Sequence, residues 1–348
     1  MKPSEGKVGI APFAVHGGRL AQAHARYPHA TRPWIDLSTG IAPWAYPIPD
    51  LPVECWTRLP EPEALAGLIA AARAYYRVSP GMRVVPVPGT DVAIGMIPRL
   101  VAGKRRVAIV SPTYASHASA WRAAGHEVIE VTTPDQMAPG DIGVVVNPNN
   151  PDGSAWDAKV LTAAAGRLHS RGGCLIVDEA FGDTAPQLSV LDGVNDRPGL
   201  VVLRSFGKFF GLAGLRLGFV IGLHPIVEMV EQTLGAWPVS AAAAAIGTRA
   251  LADVAWHDAQ LRRLTDTSRA LEATLASHAI PCQGVTTLFR FVTHHDGAAL
   301  FEHLAVNGIL VRPFEGGRRL RIGLPGGEEQ MERLRLALAA FNAGRSAP

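Results

Sequence analysis

The sequence predicts an α/β protein, with one sheet of seven buried strands covered by helices on both faces and then a smaller α+β C-terminal domain. Seven short β-rich runs carry that expectation: Val84–Val87, Val107–Val110, Glu127–Val131, Ile142–Val146, Leu175–Val177, Leu200–Leu203 and Gly218–Ile221. Helical stretches stand between them at Thr90–Val101, Tyr114–Ala124 and Asp157–Ser170. After Gly222 the pattern changes. An Ala-rich helical stretch runs from Ser240 to about His278, followed by short strands near Thr287–Thr293 and Ile309–Arg312.

The chain has 348 residues, of which 48% are hydrophobic. Single cores rarely grow past ~250–300 residues, so a division into two domains is expected. The segment Ala42–Pro62 is too rich in proline for a regular helix or a central strand, and it reads as an extended arm. The expected organisation is an N-terminal arm over residues 1–60, a large domain over 61–235 and a small domain over 236–348.

The formal net charge is +3, with arginines scattered and no long basic block. That balance favours small anionic ligands over nucleic acid. Cys55, Cys174 and Cys282 lie far apart without C-x-x-C spacing, so neither a metal site nor a disulfide framework is suggested. The N-terminus lacks an apolar signal region, and no apolar run reaches the ~20 residues of a membrane span. A cytoplasmic enzyme is the expectation.

The most informative stretch is Ser205-Phe206-Gly207-Lys208-Phe209-Phe210-Gly211-Leu212-Ala213-Gly214-Leu215-Arg216. Lys208 is one of only five lysines. It sits on a Gly-rich turn, with a hydroxyl three residues before it and a guanidinium eight after. An amine that bonds covalently to a carbonyl cofactor needs such a fixed turn, with groups nearby that hold a phosphate. Alone, it would read as a solvated surface lysine.

Four further motifs follow strands, where ligand chemistry belongs in an open α/β sheet. Pro88-Gly89-Thr90-Asp91 ends a strand and opens a helix, so amides and dipole converge on an anion; Thr and Asp also simply cap helices. Ser111-Pro112-Thr113-Tyr114 follows the next strand. Asn147-Pro148-Asn149-Asn150-Pro151-Asp152-Gly153 is rich in turn formers. Asp178 closes the run Cys174-Leu175-Ile176-Val177, either as a functional carboxylate or as a capping residue.

Together these ordered motifs, from Gly89 to Gly218, resemble the fold-type I pyridoxal 5'-phosphate (PLP) enzymes, the aspartate aminotransferase superfamily of class I/II. The resemblance implies a seven-stranded mixed, mostly parallel sheet and a homodimer. It implies Lys208 as the Schiff-base lysine and Asp178 as the partner of the pyridine nitrogen. Asn150 would donate to the ring hydroxyl oxygen, and Tyr114 would stack on the ring unless it is a core or surface tyrosine. Gly89, Thr90, Asp91, Ser205 and Arg216 would hold the cofactor phosphate.

His16-Gly17-Gly18 and Asp36-Leu37-Ser38-Thr39-Gly40-Ile41-Ala42-Pro43 are similar to the opening of the threonine-phosphate decarboxylases of cobalamin biosynthesis, a branch near histidinol-phosphate aminotransferase. That resemblance implies O-phospho-L-threonine as substrate, with carbon dioxide and 1-aminopropan-2-ol phosphate as products. Planar guanidinium groups suit its carboxylate and phosphate, which points to Arg312 and Arg321, while His16 and the Gly17-Gly18 backbone add donors to the phosphate. The plainer alternatives are solvated strand-end arginines and an ordinary arm histidine. Arg318 and Arg319 have no match and read as solvated.

The chain departs from its relatives at several positions. Phe181 stands where aminotransferases usually carry a Tyr, which weakens an aminotransferase reading. Leu59 replaces a Tyr that reaches the partner's cofactor phosphate, and Ala42 replaces an Asn before Pro43. The segment between Arg312 and Arg321 is short, so their roles need not transfer cleanly. An aminotransferase and a PLP-binding subunit of a cobinamide-forming complex therefore stand as alternatives to the decarboxylase.

Overall fold

All seven expected β-rich runs become strands of a single sheet in the computed structural model, which describes Ile10 and residues 12–191 and 198–346. In chain order they are β1 (Arg83–Val87), β2 (Arg106–Val110), β3 (Glu127–Val131), β4 (Ile142–Val146), β5 (Cys174–Asp178), β6 (Leu200–Ser205) and β7 (Gly218–Gly222). Their spatial order is β1-β7-β6-β5-β4-β2-β3. Only β7 runs against the others: it pairs antiparallel with both β1 and β6, while the remaining pairings are parallel.

Every residue of β4, β5, β6 and β7 is buried, as central strands covered on both faces must be. The sheet's edges carry the residues that an edge tolerates. Pro86 lies in β1, and Glu127 and Glu130 lie in β3, where a missing amide or a charge discourages further strand pairing. One face is filled by a cluster that includes Val85, Ile94, Ile97, Ile109, Trp121, Val144, Ile176, Val201 and Val220.

The chain divides into two compact units: Ala45–Asp258 with the sheet, and Met1–Trp44 together with Ala259–Pro348. The boundaries expected at 60/61 and 235/236 both fall inside the first of these. One physical reason is the helix Ala241–Ala252, which packs on the helix Pro62–Tyr75. A Cβ at Gly247 would come within 2.6 Å of Leu217 and 2.8 Å of Leu68, so small side chains admit the helix to this core. The helical stretch expected to run unbroken from Ser240 to about His278 is interrupted at Asp253, giving Ala241–Ala252 and Val254–Ser277. The proline-rich segment contains one helical turn, Glu54–Thr57.

The other unit has a four-stranded antiparallel sheet in the order Arg312–Phe314, Arg319–Gly323, Phe289–Thr293, Cys282–Gln283. Beside it, Ile35–Asp36 pairs parallel with Ile309–Leu310. No helix among the described residues is long and apolar enough to cross a membrane.

Candidate active site

Sheet register brings the separated motifs to one edge. Val87 pairs with Gly218 and Gly218 with Ser205, while Val146 pairs with Asp178 and Asp178 with Leu203. Gly89, Asn147, Asp178, Ser205 and Arg216 therefore all lie at the carboxyl edge of the parallel strands, where the reversed β7 begins. This is the edge at which open α/β sheets bind ligands.

The helix Thr90–Leu100 begins right after Gly89, whose φ of 87° is a left-handed conformation suited to glycine. Arg216 also has a left-handed backbone, at φ 54° and ψ 57°, and its Nη1 donates to the Ala213 carbonyl at 3.2 Å. A Cβ on Gly218 would stand 3.0 Å from the Thr90 nitrogen, so glycine there lets the helix N-terminus approach β7. The first amides of that helix, the Arg216 guanidinium and the buried Ser205 thus lie at the same strand ends, groups of the kind that can hold a phosphate.

Asp178 is 3% exposed. Its Oδ1 accepts from the Ala180 amide at 3.0 Å, and its Oδ2 lies 2.9 Å from Nε2 of the buried His117. A carboxylate only accepts, so the His117 Nε2 proton is donated to it. The sequence reading missed His117. Its signal was the spacing: three residues after Tyr114, it falls on the same side of the helix Ala115–Ala123. Tyr114 donates to Asp91 Oδ1 at 3.3 Å, which ties the end of β2 to the helix at Thr90.

The turn after β4 is pinned on several sides. The Asn147 amide donates to the Asp178 carbonyl at 2.8 Å. Asn147 Oδ1 accepts from the Trp156 amide at 2.8 Å, and Asn149 Oδ1 accepts from Thr113 Oγ1 at 2.6 Å. Asn150 lies half-buried at the end of this frame.

Lys208 is half-buried on the turn that leaves β6. Phe206, Phe209 and Phe210 fix that turn from below. Phe206 stacks on Phe210 at 4.2 Å, and Phe210 stacks in turn on Trp256 at 5.5 Å. A Cβ at Gly207 would meet the Ala213 backbone at 2.9 Å, so the tight approach requires glycine. Beneath the same strand ends, buried Arg204 bonds Glu179 Oε2 at 2.6 Å and Asp183 Oδ1 at 2.5 Å. Phe181, where aminotransferases usually carry Tyr, is buried.

The remaining candidates, His16, Gly17, Arg312 and Arg321, gather in the other unit. Arg312 and Arg321 face one another across adjacent antiparallel strands. At 8% and 3% exposure they are not solvated strand-end residues, contrary to the plainer alternative. Arg312 Nη2 donates to the Val15 carbonyl at 2.8 Å, and Arg321 Nη2 donates to the Ser38 carbonyl at 2.8 Å. His16 is exposed. Gly18 was expected to offer its amide to a ligand, but that amide donates to Ser38 Oγ at 2.7 Å.

The family model for aminotransferase class I and II matches residues 56–338. The chain belongs to this family. Among its relatives, the chain is 45% identical to a threonine-phosphate decarboxylase of Pseudomonas aeruginosa, over 94% of this chain and 97% of that protein. It is 41% identical to a threonine-phosphate decarboxylase of Sinorhizobium sp., over 93% and 97%. The fold is similar to that of histidinol-phosphate aminotransferase from Sinorhizobium meliloti in complex with pyridoxal-5'-phosphate, with a TM-score of 0.78 and 22% identity over 94% and 95% of the two chains. The mixed, mostly parallel sheet expected from the motifs is that of the family.

Proposed function

We propose that this chain is a PLP-dependent lyase that decarboxylates O-phospho-L-threonine to (R)-1-aminopropan-2-ol phosphate in cobalamin biosynthesis. The observation that carries this reading is identity above 40% to two threonine-phosphate decarboxylases over nearly the whole chain. Phe181 supports the choice over an aminotransferase, because a phenol usual in those enzymes is absent here.

The residues at the sheet edge fit the cofactor: a helix N-terminus, a serine and an arginine for its phosphate, a buried carboxylate for its ring nitrogen and a half-buried lysine on a rigid turn. When bound, the cofactor supplies the carbonyl that captures the substrate amine and the electron sink that accepts the pair left at Cα as carbon dioxide departs. Asp178, oriented by His117, holds a proton on the ring nitrogen. Thr90, Asp91, Ser205 and Arg216 bind the phosphate, with Gly89 leaving room for them. Tyr114 packs on the ring and Asn150 donates to its hydroxyl oxygen. Lys208 Nζ would hold the cofactor, and as a free ammonium it, or another acid near it, would deliver a proton to the substrate's Cα. Arg312 and Arg321 supply positive charge for the substrate's anions, and His16 and the Gly17 amide add hydrogen-bond donors to its phosphate.

Purified protein should release carbon dioxide from O-phospho-L-threonine without any 2-oxo acid. Turnover that requires a 2-oxo acid would refute this reading and support an aminotransferase. Protein that binds PLP but turns over nothing would support the subunit reading.

We further propose a homodimer working in the cytoplasm, where its three free thiols stay reduced. Trp56 is 67% exposed, in a segment that also exposes Ile48, Val53 and Leu59, an apolar run suited to a second copy. Analytical ultracentrifugation showing a monomer at micromolar concentration would refute the dimer.

A further inference from the structure

Ser38 is where the N-terminal loop is tied down. Its hydroxyl accepts the Gly18 N–H at 2.7 Å and donates to Asp36 Oδ1 at 2.5 Å, and the same oxygen of Asp36 accepts the Ser38 amide at 2.9 Å. The Ser38 carbonyl accepts from Arg321. The preceding residue is stitched on both sides, with the Leu37 amide donating to the Leu310 carbonyl at 2.8 Å and the Leu37 carbonyl accepting from the Gly323 amide at 2.7 Å. A Cβ on Gly17 would collide with the Ser38 carbonyl, so the loop lies directly against this residue. Ser38 itself is 2% exposed.

We propose that Asp36 and Ser38 are positioning residues for the loop that takes the substrate's phosphate, an inference that rests on the reading of His16 and Gly17 given above. The Gly18 N–H is spent on Ser38, so the donors available to the phosphate are the His16 imidazole and the amides of His16 and Gly17. Their direction is set by the Gly18–Ser38–Asp36 relay on one side and by Arg312 at the Val15 carbonyl on the other. Asp36 polarises the serine, which makes its oxygen the better acceptor. The relay touches no reacting atom; it acts through the loop and governs recognition of a phosphorylated substrate.

The test uses full-length PLP-loaded protein and the variants Ser38→Ala, Asp36→Asn and His16→Ala. Amide hydrogen exchange is followed over the segment around Gly18, and affinities for O-phospho-L-threonine and for L-threonine are measured by calorimetry. Ser38→Ala should quicken exchange at Gly18 and weaken O-phospho-L-threonine about tenfold while leaving L-threonine within twofold. The KM should rise in parallel, with kcat little changed. Asp36→Asn should do the same more weakly, and it reads the relay if Ser38→Ala does not fold. Unchanged exchange, or equal weakening of both ligands, would overturn the proposal. So would unchanged affinity for O-phospho-L-threonine in Ser38→Ala when His16→Ala loses it. A wild type that shows no preference for the phosphorylated ligand would instead sink the parent reading of the loop, and the inference with it, even if exchange at Gly18 quickens.

Discussion

Arg216 lies across the backbone of Gly89, so closely that a Cβ built on Gly89 would stand 2.5 Å from Arg216 Nη2. Both residues have left-handed backbones, one from the turn after β1 and the other from the turn before β7. Two turns of positive φ thus meet at the start of the helix Thr90–Leu100, and only the one at Arg216 is strained. For Arg216 that conformation costs about 1–2 kcal/mol, which a non-glycine residue bears only where surrounding structure enforces it.

Gly89→Ala should therefore displace the guanidinium and strain the turn. PLP affinity is expected to fall about tenfold or more, read from the visible absorbance of the bound cofactor during titration of the apoprotein. Wild-type affinity in this variant would show that Arg216 does not reach the phosphate.

His117→Ala removes the imidazole that donates to Asp178 and leaves one oxygen of a buried carboxylate without that bond. The expected loss is about 1–3 kcal/mol, divided between fold stability and PLP binding. His117→Gln should recover part of it, because an amide can also donate. Identical melting and PLP titration curves for wild type and His117→Ala would remove His117 from the site.

Arg204→Met should be among the most damaging changes away from the site. It leaves the carboxylates of Glu179 and Asp183 buried without their countercharge, and breaking such a pair costs about 3–5 kcal/mol. The urea midpoint of the apoprotein at neutral pH measures it. A cost below about 1 kcal/mol would mean that the carboxylates are neutral or reach water.

The fully buried Cys174 has its thiol pushed up to about 12 by desolvation, from an ordinary value of 9.0. The folded state holds this proton more tightly than the unfolded state does. The contribution is therefore fully present below about pH 9 and is lost as pH rises toward about 12. Cys174→Val lacks this titration, so the urea midpoint of the wild type should fall relative to the variant's over that window. Parallel curves would show that the thiol titrates normally.

The sequence alone determined the seven strands and the order of the motifs, because strands packed in a sheet demand short apolar β-rich runs, most of them followed by turn formers. Burial is expected of all seven, but in the edge strand β3 only Val131 is buried, because no further strand or helix covers its charged residues. The sequence also singled out Lys208, by its Gly-rich turn with Ser205 before and Arg216 after, and, through the family resemblance, Asp178, Asn150 and the Gly89–Asp91 turn, which lie just beyond such runs. Tertiary structure decided what depends on pairs distant along the chain. His117 meets Asp178 and Arg216 crosses Gly89 only because register aligns those strand ends. The Ala-rich helix joined the sheet-bearing unit because its small face fits Leu68 and Leu217, a complementarity of shape that periodicity does not encode. Burial likewise decided the surroundings of Arg312 and Arg321. A lone arginine in a sequence carries no record of the carbonyls, at Val15 and Ser38, that the folded chain presents to it.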